Sequence, residues 1–292
     1  MICMAAGTTP SAFAALVSHP VTVFAGTAQM PPGAVLHDVL AAEVPVALVF
    51  NGISHAVMMA TPQDLEAFAL GFALSEGIVA GAGEVRGIDV ALADPAQSGL
   101  PVGVAAIEVH VEVSARSFEQ LKAHRRVLAG RTGCGVCGVE SLAALDLLGA
   151  PIAPNDWVAQ VDAPLVLHAF SQLQVQQPLN AQSGAMHAAG WATLEGQLMH
   201  VFEDVGRHNA LDKLLGTLAK SGQLGTPGFV IMSSRASHEL VRKCARLGLS
   251  ALATISAPTS MGVRMAELSG VRLWGLCRAP RAVLYASGAA VQ

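Results

Sequence analysis

Four short apolar runs in the second half of the chain, residues 198–202, 228–232, 250–255 and 271–276, alternate with stretches whose apolar residues recur at helical spacing. Leu211, Leu214 and Leu215 mark one such stretch; Leu240, Val241, Cys244 and Leu247 mark another. Short continuous apolar runs suit strands buried on both faces, and intervening helices cover those faces. The pattern predicts an α/β layer with largely parallel strands. Cys244 is in phase with its neighbours and reads as a core residue.

The first half reads differently. Val44–Phe50 and Ile53–Ala60 flank Asn51-Gly52, which supplies both positive-φ positions of a tight hairpin turn. Thr61-Pro62-Gln63-Asp64 then opens a helix, with Thr61 able to cap it, Leu65, Phe68, Ala69 and Phe72 on its apolar face, and Gly77 able to stop it. Ile107, Val109, Val111 and Val113 alternate with polar residues, as in a strand with one wet face. Phe118, Leu121 and Leu128 mark a further helix ending at Gly130. Residues 150–164 hold Pro151, Pro154 and Pro164 and read as a connection. The organisation expected is a loose extension over 1–20, a smaller β-rich α+β domain over 21–149, and an α/β domain over 150–292.

Composition narrows the function classes. The chain is 52% hydrophobic, yet no apolar run approaches the ~18 residues of a membrane helix. Residues 1–10 lack Lys and Arg and are broken by Gly7, Thr8, Thr9 and Pro10, unlike a signal peptide. The formal net charge of −4 does not suit a nucleic-acid coat. Five cysteines, an odd and sparse set, argue against a disulfide framework and for a reducing, cytoplasmic setting.

Each apolar run of the second half ends in a polar cluster. Glu203-Asp204-Val205-Gly206-Arg207-His208-Asn209 follows the first and Ser233-Ser234-Arg235-Ala236-Ser237 the second. Ser256-Ala257-Pro258-Thr259-Ser260 follows the third and Cys277-Arg278-Ala279-Pro280-Arg281 the fourth. In open α/β sheets ligands bind beyond the carboxyl ends of strands. Arginine forks match phosphate oxygens, and hydroxyls and helix N-termini bind the same oxygens. Asp204, Arg207, His208, Ser234, Arg235, Thr259, Arg278 and Arg281 are therefore candidates for holding a large phosphorylated ligand. Any single cluster also reads as a capped, solvated turn. Cys277 reads equally as pocket lining or packing.

The most reactive stretch is Arg131-Thr132-Gly133-Cys134-Gly135-Val136-Cys137-Gly138. Three glycines free the backbone and keep side chains away from both sulfurs. Arg131 and the start of the following helix favour thiolate, the nucleophilic form. A Cys-x-x-Cys pair serves as half a zinc site, a redox dithiol or a sulfur carrier. Zinc needs about two more ligands, and no second Cys-x-x-Cys or His-x-x-x-His exists. A thioredoxin-like dithiol belongs directly after a sheet strand, whereas the preceding segment here reads as helical. These residues alone leave sulfur carriage as one possibility among several.

From about Glu43 to Tyr285 the chain resembles the formate dehydrogenase accessory sulfurtransferases, the FdhD family. The resemblance rests on ordered blocks at 44–53, 64–78 and 131–138, on Glu-Asp-Val-Gly-Arg-His-Asn-Ala-Leu-Asp-Lys-Leu-Leu-Gly at 203–216, and on Ser-Ser-Arg-Ala-Ser-His-Glu-Leu-Val at 233–241. It implies that a cysteine desulfurase hands sulfur to the protein as a persulfide. The sulfur then passes to molybdenum cofactor in its bis(guanine dinucleotide) form, which activates a formate dehydrogenase. By this analogy Cys134 is the persulfide cysteine and Cys137 its relay, and the protein is a homodimer. Leu276, Cys277, Arg278, Ala279, Pro280 and Arg281 align with the family's cofactor-binding stretch, and GDP serves as an analogue of the ligand.

The resemblance also implies a cytidine-deaminase-like α/β/α fold for the larger domain. The zinc chemistry of that fold is missing: Ala189 stands where the catalytic glutamate would, and Ser233-Ser234-Arg235 offers no thiolate. The chain departs from the family at Pro280, where glycine is common. His187, in a variable version of its block, is expected near the site, with a structural role equally open. Two other readings remain, a cofactor-binding chaperone and a dithiol oxidoreductase.

Overall fold

The computed structural model describes residues 13–24, 33–127, 151–153 and 155–289. Its strands form three sheets. β1 (Leu16–Thr22) and β2 (Val35–Ala41) make an antiparallel ribbon. Residues 16–20, expected in a loose extension, are therefore strand, because β2 supplies a partner for every residue of β1.

The second sheet has the order β4-β3-β6-β5, from β3 (Val44–Phe50), β4 (Ile53–Ala60), β5 (Val85–Leu92) and β6 (Ile107–Val113). Asn51 (φ 45°) and Gly52 (φ 80°) form the expected turn between β3 and β4. One sheet face packs on α1 (Leu65–Ser75), burying Leu48, Phe50, Val109, Phe68 and Phe72. Each such side chain contributes about 1.5–3 kcal/mol of burial. Two short segments complete this half, α2 (Pro95–Ser98) and α3 (Ala115–Val127). The expected cap of α1 needs correction. Asp64, in the left-handed region at φ 53°, precedes the helix without a side-chain cap, and Thr61 spends its hydroxyl elsewhere.

The third sheet has the order β12-β11-β10-β9-β7-β8, from β7 (His187–Ala192), β8 (Leu198–Asp204), β9 (Phe229–Met232), β10 (Ala251–Thr254), β11 (Arg272–Arg278) and β12 (Arg281–Ser287). Only β9, β10 and β11 pair in parallel, so the expectation of a largely parallel sheet holds for its centre alone. β7 pairs antiparallel with both β8 and β9, and β12 antiparallel with β11. β8 consequently runs in the same direction as β9. Sequence reading passed over β7, His-Ala-Ala-Gly-Trp-Ala, because small residues give no period.

Helices cover both sheet faces. α6 (Arg207–Lys220), α7 (His238–Arg246) and α8 (Ser260–Ser269) pack on one face around Leu211, Leu214, Leu240, Cys244 and Met265. α4 (Ala163–Leu173) covers the other, around Val166, Ala169, Trp274 and Cys277. α5 (Pro178–Ser183) precedes β7. The result is an α/β/α arrangement.

Helices α1 and α6 join the two halves at backbone contact. A Cβ on Gly71 would run into the Asp212 carbonyl oxygen, and one on Gly216 into that of Ala67. Beside this crossing lies a buried charge cluster. Lys243 Nζ meets Asp212 Oδ2 at 2.9 Å and Glu76 Oε1 at 2.8 Å, and Arg242 meets Glu76 at 2.9 Å. Burial raises the Asp212 carboxyl despite Lys243. Against the same effect of burial, Lys243 and Arg242 hold Glu76 far below the carboxylate range.

Candidate functional site

The strand directions collect all four polar clusters on one edge of the six-stranded sheet. β8, β9, β10 and β11 end there, and β7 and β12 begin there. His187 stands opposite Asp204 in register, and Arg278 opposite Arg281. Short links tie the neighbours together. Ser233 exchanges hydrogen bonds with Ala188, Thr259 N–H donates to the Ala236 carbonyl at 2.9 Å, and Leu276 N–H donates to that of Ser256 at 3.1 Å.

Three helices start at this edge. α6 begins with Arg207 and His208 after Gly206, and α7 begins after Ser237; neither has a side-chain cap. α8 is capped by Thr259, whose Oγ1 accepts from Gly262 N–H at 3.1 Å. The Ser237 hydroxyl is buried without a hydrogen-bond partner among the described residues. The N-termini of α6 and α7 therefore present uncapped N–H groups and the positive ends of their dipoles along the same edge.

Charge reinforces this. Arg235, Arg278 and Arg281 are exposed and Arg207 is half-buried, and no carboxylate among the described residues forms an ion pair with any of them. His208 Nε2 instead meets Glu239 Oε2 at 2.7 Å. Burial pushes the Glu239 carboxyl up, but His208, His238 and Arg207 outweigh it and keep the group below its ordinary value. Burial, together with the charges of Arg207 and His208, lowers the His187 imidazole. Guanidinium groups without an ion-pair partner among the described residues and helix starts without side-chain caps, set along one edge, suit phosphate oxygens.

Not every candidate side chain reaches the edge. Asp204 is fully buried and forms an ion pair with Lys213, 2.7 Å away and also fully buried. It accepts from Thr61, Gly206 and Asn209 as well, so it frames the edge rather than contacting a ligand. Cys277 is fully buried against the α4 face, and burial pushes its thiol up to about 12. The cause lies in β11. A bulge after Gly275, with Leu276 at φ 55°, puts Cys277 on the same face as Trp274. Ser234 is buried too, its hydroxyl turned onto the Arg235 carbonyl. Leu276 is half-buried, while Ala279 and Pro280, joined by a cis peptide, form the exposed turn between Arg278 and Arg281. Cys134, Cys137 and Arg131 lie outside the described residues.

Sequence reasoning did not single out Ser237, Glu239, Thr61 or Lys213. A signal existed for Lys213. Asp212-Lys213 interrupts the apolar run of Leu211, Leu214, Leu215 and Leu218, and charges so placed are buried only when paired. Away from the edge, a groove of about 990 Å³ opens between α1, β5 and the end of α6, lined largely by apolar residues such as Leu65, Leu70 and Ile88. Among the described residues no cluster of three or more His, Cys, Asp or Glu could hold a metal ion, and no helix is long and apolar enough to cross a membrane.

Comparison with known proteins gives a consistent set of relatives. The model of the FdhD/NarQ family matches residues 41–292. The sulfur carrier protein FdhD of Chromobacterium violaceum is 54% identical over 241 residues, 82% of this chain and 86% of that one. The protein of the same name from Burkholderia cenocepacia is 51% identical over 242 residues, 83% and 85% of the two chains. That of Acinetobacter baylyi is 47% identical over 251 residues, 86% and 87%. In fold, the chain is similar to a crystal structure assigned as a formate dehydrogenase accessory protein from Desulfotalea psychrophila. The TM-score is 0.64 at 23% identity, over 94% of this chain and 97% of that one.

Proposed function

The chain belongs to the FdhD/NarQ family, and on that premise we propose that it carries sulfur on Cys134 to a molybdenum bis(guanine dinucleotide) cofactor bound at the strand-end edge. The relatives' name, sulfur carrier, supports the first half of this reading. One observation carries the second half. Arg207, Arg235, Arg278 and Arg281 lie along the edge that also holds the uncapped starts of α6 and α7, and none of them forms an ion pair among the described residues. Each guanine dinucleotide brings a diphosphate, whose oxygens take forked guanidinium and N–H donors together.

In this reading the sulfur comes from a cysteine desulfurase. The Cys134 thiolate attacks the terminal sulfur of the donor's persulfide, takes that sulfur, and releases the donor cysteine as thiolate. Cys137 assists as a relay. The client is a formate dehydrogenase, the setting is the cytoplasm, and the protein works as a homodimer. Holding carrier sulfur and cofactor on one scaffold makes the encounter effectively intramolecular.

Calorimetry with GDP tests the edge. Wild type should bind it, and an Arg235→Ala/Arg281→Ala variant should bind at least about tenfold more weakly, the loss expected from two charge-assisted contacts. Equal affinity would overturn the assignment. Complementation tests the carrier. Cells lacking the native protein should oxidise formate with the wild-type chain and not with Cys134→Ser, because a hydroxyl forms no persulfide. Substantial activity with Cys134→Ser would leave a cofactor-binding chaperone.

A further inference from the structure

The edge is not held by its own sheet alone. Thr61, fully buried between β4 and α1, is stitched into the corner where β8 turns into α6. Its N–H donates to Asp204 Oδ2 at 3.0 Å, and its carbonyl accepts from Lys213 Nζ at 3.2 Å. Its hydroxyl accepts from Val205 N–H at 3.2 Å and lies 3.5 Å from Met186 Sδ, just ahead of β7. Asn209 adds a second tie, donating to the Met59 carbonyl at 2.8 Å and to Asp204 Oδ1 at 2.9 Å. The third donor of Lys213 goes to the Glu203 carbonyl at 3.3 Å, so both charges of the ion pair are fully used.

Burying an ion pair completely is costly, and packing alone could be met by apolar residues of the same volume. The pair here does something an apolar pair cannot: it fixes direction. Asp204 Oδ1 takes Gly206 N–H at 2.8 Å, which sets the turn from which Arg207 and His208 project. Asp204 Oδ2 takes Thr61, which belongs to the other half of the molecule. One carboxylate thus ties the start of α6 to the β4–α1 corner.

We propose that Thr61, Asp204 and Lys213 are positioning residues for the edge, through which the N-terminal sheet holds Arg207 and His208 in binding geometry. Ligand occupancy at the edge and order at the β4–α1 corner are then coupled, and the coupling is reciprocal. This rests on the reading of the edge as a nucleotide site. Thr61 touches no ligand in it, so its effect on binding is wholly indirect.

The experiment uses the full chain, GDP and two substitutions. Thr61→Val removes the hydroxyl at nearly constant volume, and Thr61→Ser restores it. GDP affinity should fall about five- to tenfold in Thr61→Val, the effect of one lost buried hydrogen bond on the binding-competent state. It should return to within about twofold of wild type in Thr61→Ser. In wild type GDP should also slow amide exchange at residues 59–61, remote from the ligand, and in Thr61→Val that protection should shrink. If Thr61→Val proves too unstable to titrate, the exchange measurement on wild type decides alone: no protection at 59–61 overturns the inference. Equal GDP affinity in wild type and Thr61→Val, or equal weakening in both variants, overturns it too. Absence of GDP binding to wild type is the distinguishable case, which removes the nucleotide reading and this inference with it.

Discussion

Helix α6 meets charge in two opposite ways along its length. At its start, Arg207 lies at an edge where four arginines form no ion pair among the described residues. One turn and more further on, Asp212 and Lys213 are buried, and each closes an ion pair with another element. Asp212 is satisfied by Ser75 and Lys243, and Lys213 by Asp204 and the carbonyls of Thr61 and Glu203. Full pairing is the condition for burying charge at all, so the interior set belongs to the architecture. Charges left open to solvent cost little there, and they keep their hydrogen-bonding capacity for something else. The contrast separates two kinds of polar residue within the same run of sequence, those that join the halves and those left open at the edge.

The contrast breaks most visibly at Lys243. Lys243→Met should leave Asp212 buried without its cation, while Glu76 keeps only Arg242, and cost about 3–5 kcal/mol, read as a lowered denaturant midpoint. A loss below about 1 kcal/mol would mean that the seam tolerates naked charge and the distinction fails. Next in size is the helix crossing. Gly216→Ala puts a methyl into the Ala67 carbonyl, forces α1 and α6 apart, and should cost about 1–3 kcal/mol. Unchanged thermal unfolding would show that the crossing can relax.

The edge should behave the other way. Arg278→Ala should move stability by less than about 0.5 kcal/mol, as for an exposed residue whose side chain has no partner among the described residues. It should nevertheless weaken GDP binding several-fold by calorimetry, an effect that shrinks as salt screens the phosphates. Destabilisation without any loss of binding would reverse the roles assigned to the two regions.

The smallest effect is a pH dependence. His187 in the folded chain lies below its ordinary value of 6.5, through burial and the charges of Arg207 and His208. Just below pH 6.5 the unfolded chain therefore binds more protons than the folded one, and stability falls as pH falls through that window. The change should stay under about 1 kcal/mol, because water screens a half-buried ring. His187→Gln should flatten the stability profile there, without altering the loss at lower pH as Glu239, held below its ordinary 4.5, becomes protonated. A profile that keeps its slope in the variant would assign the titration elsewhere.

Much of this was legible in the residues. Asn51-Gly52 between two apolar runs reads as a tight turn, and strands ending at Phe50 and Met232 follow from apolar runs cut short by polar residues, whereas β8 continues two residues past its apolar run to Asp204. Those clusters also named the edge, since chain polarity brings the ends of like-directed strands together wherever they sit in the sheet. The same local signals were blind to whatever depends on a partner distant in sequence. β7 entered the sheet unannounced, Asp204 turned inward to Lys213, and Cys277 changed face at a bulge. Thr61 looked like a helix cap and became a tie across the molecule. Periodicity reports which face of one element is apolar. Which element lies against that face, and whether a buried carboxylate finds a hydrogen-bond donor 143 residues away as Asp204 finds Thr61 N–H, is settled only when the sheets and helices pack.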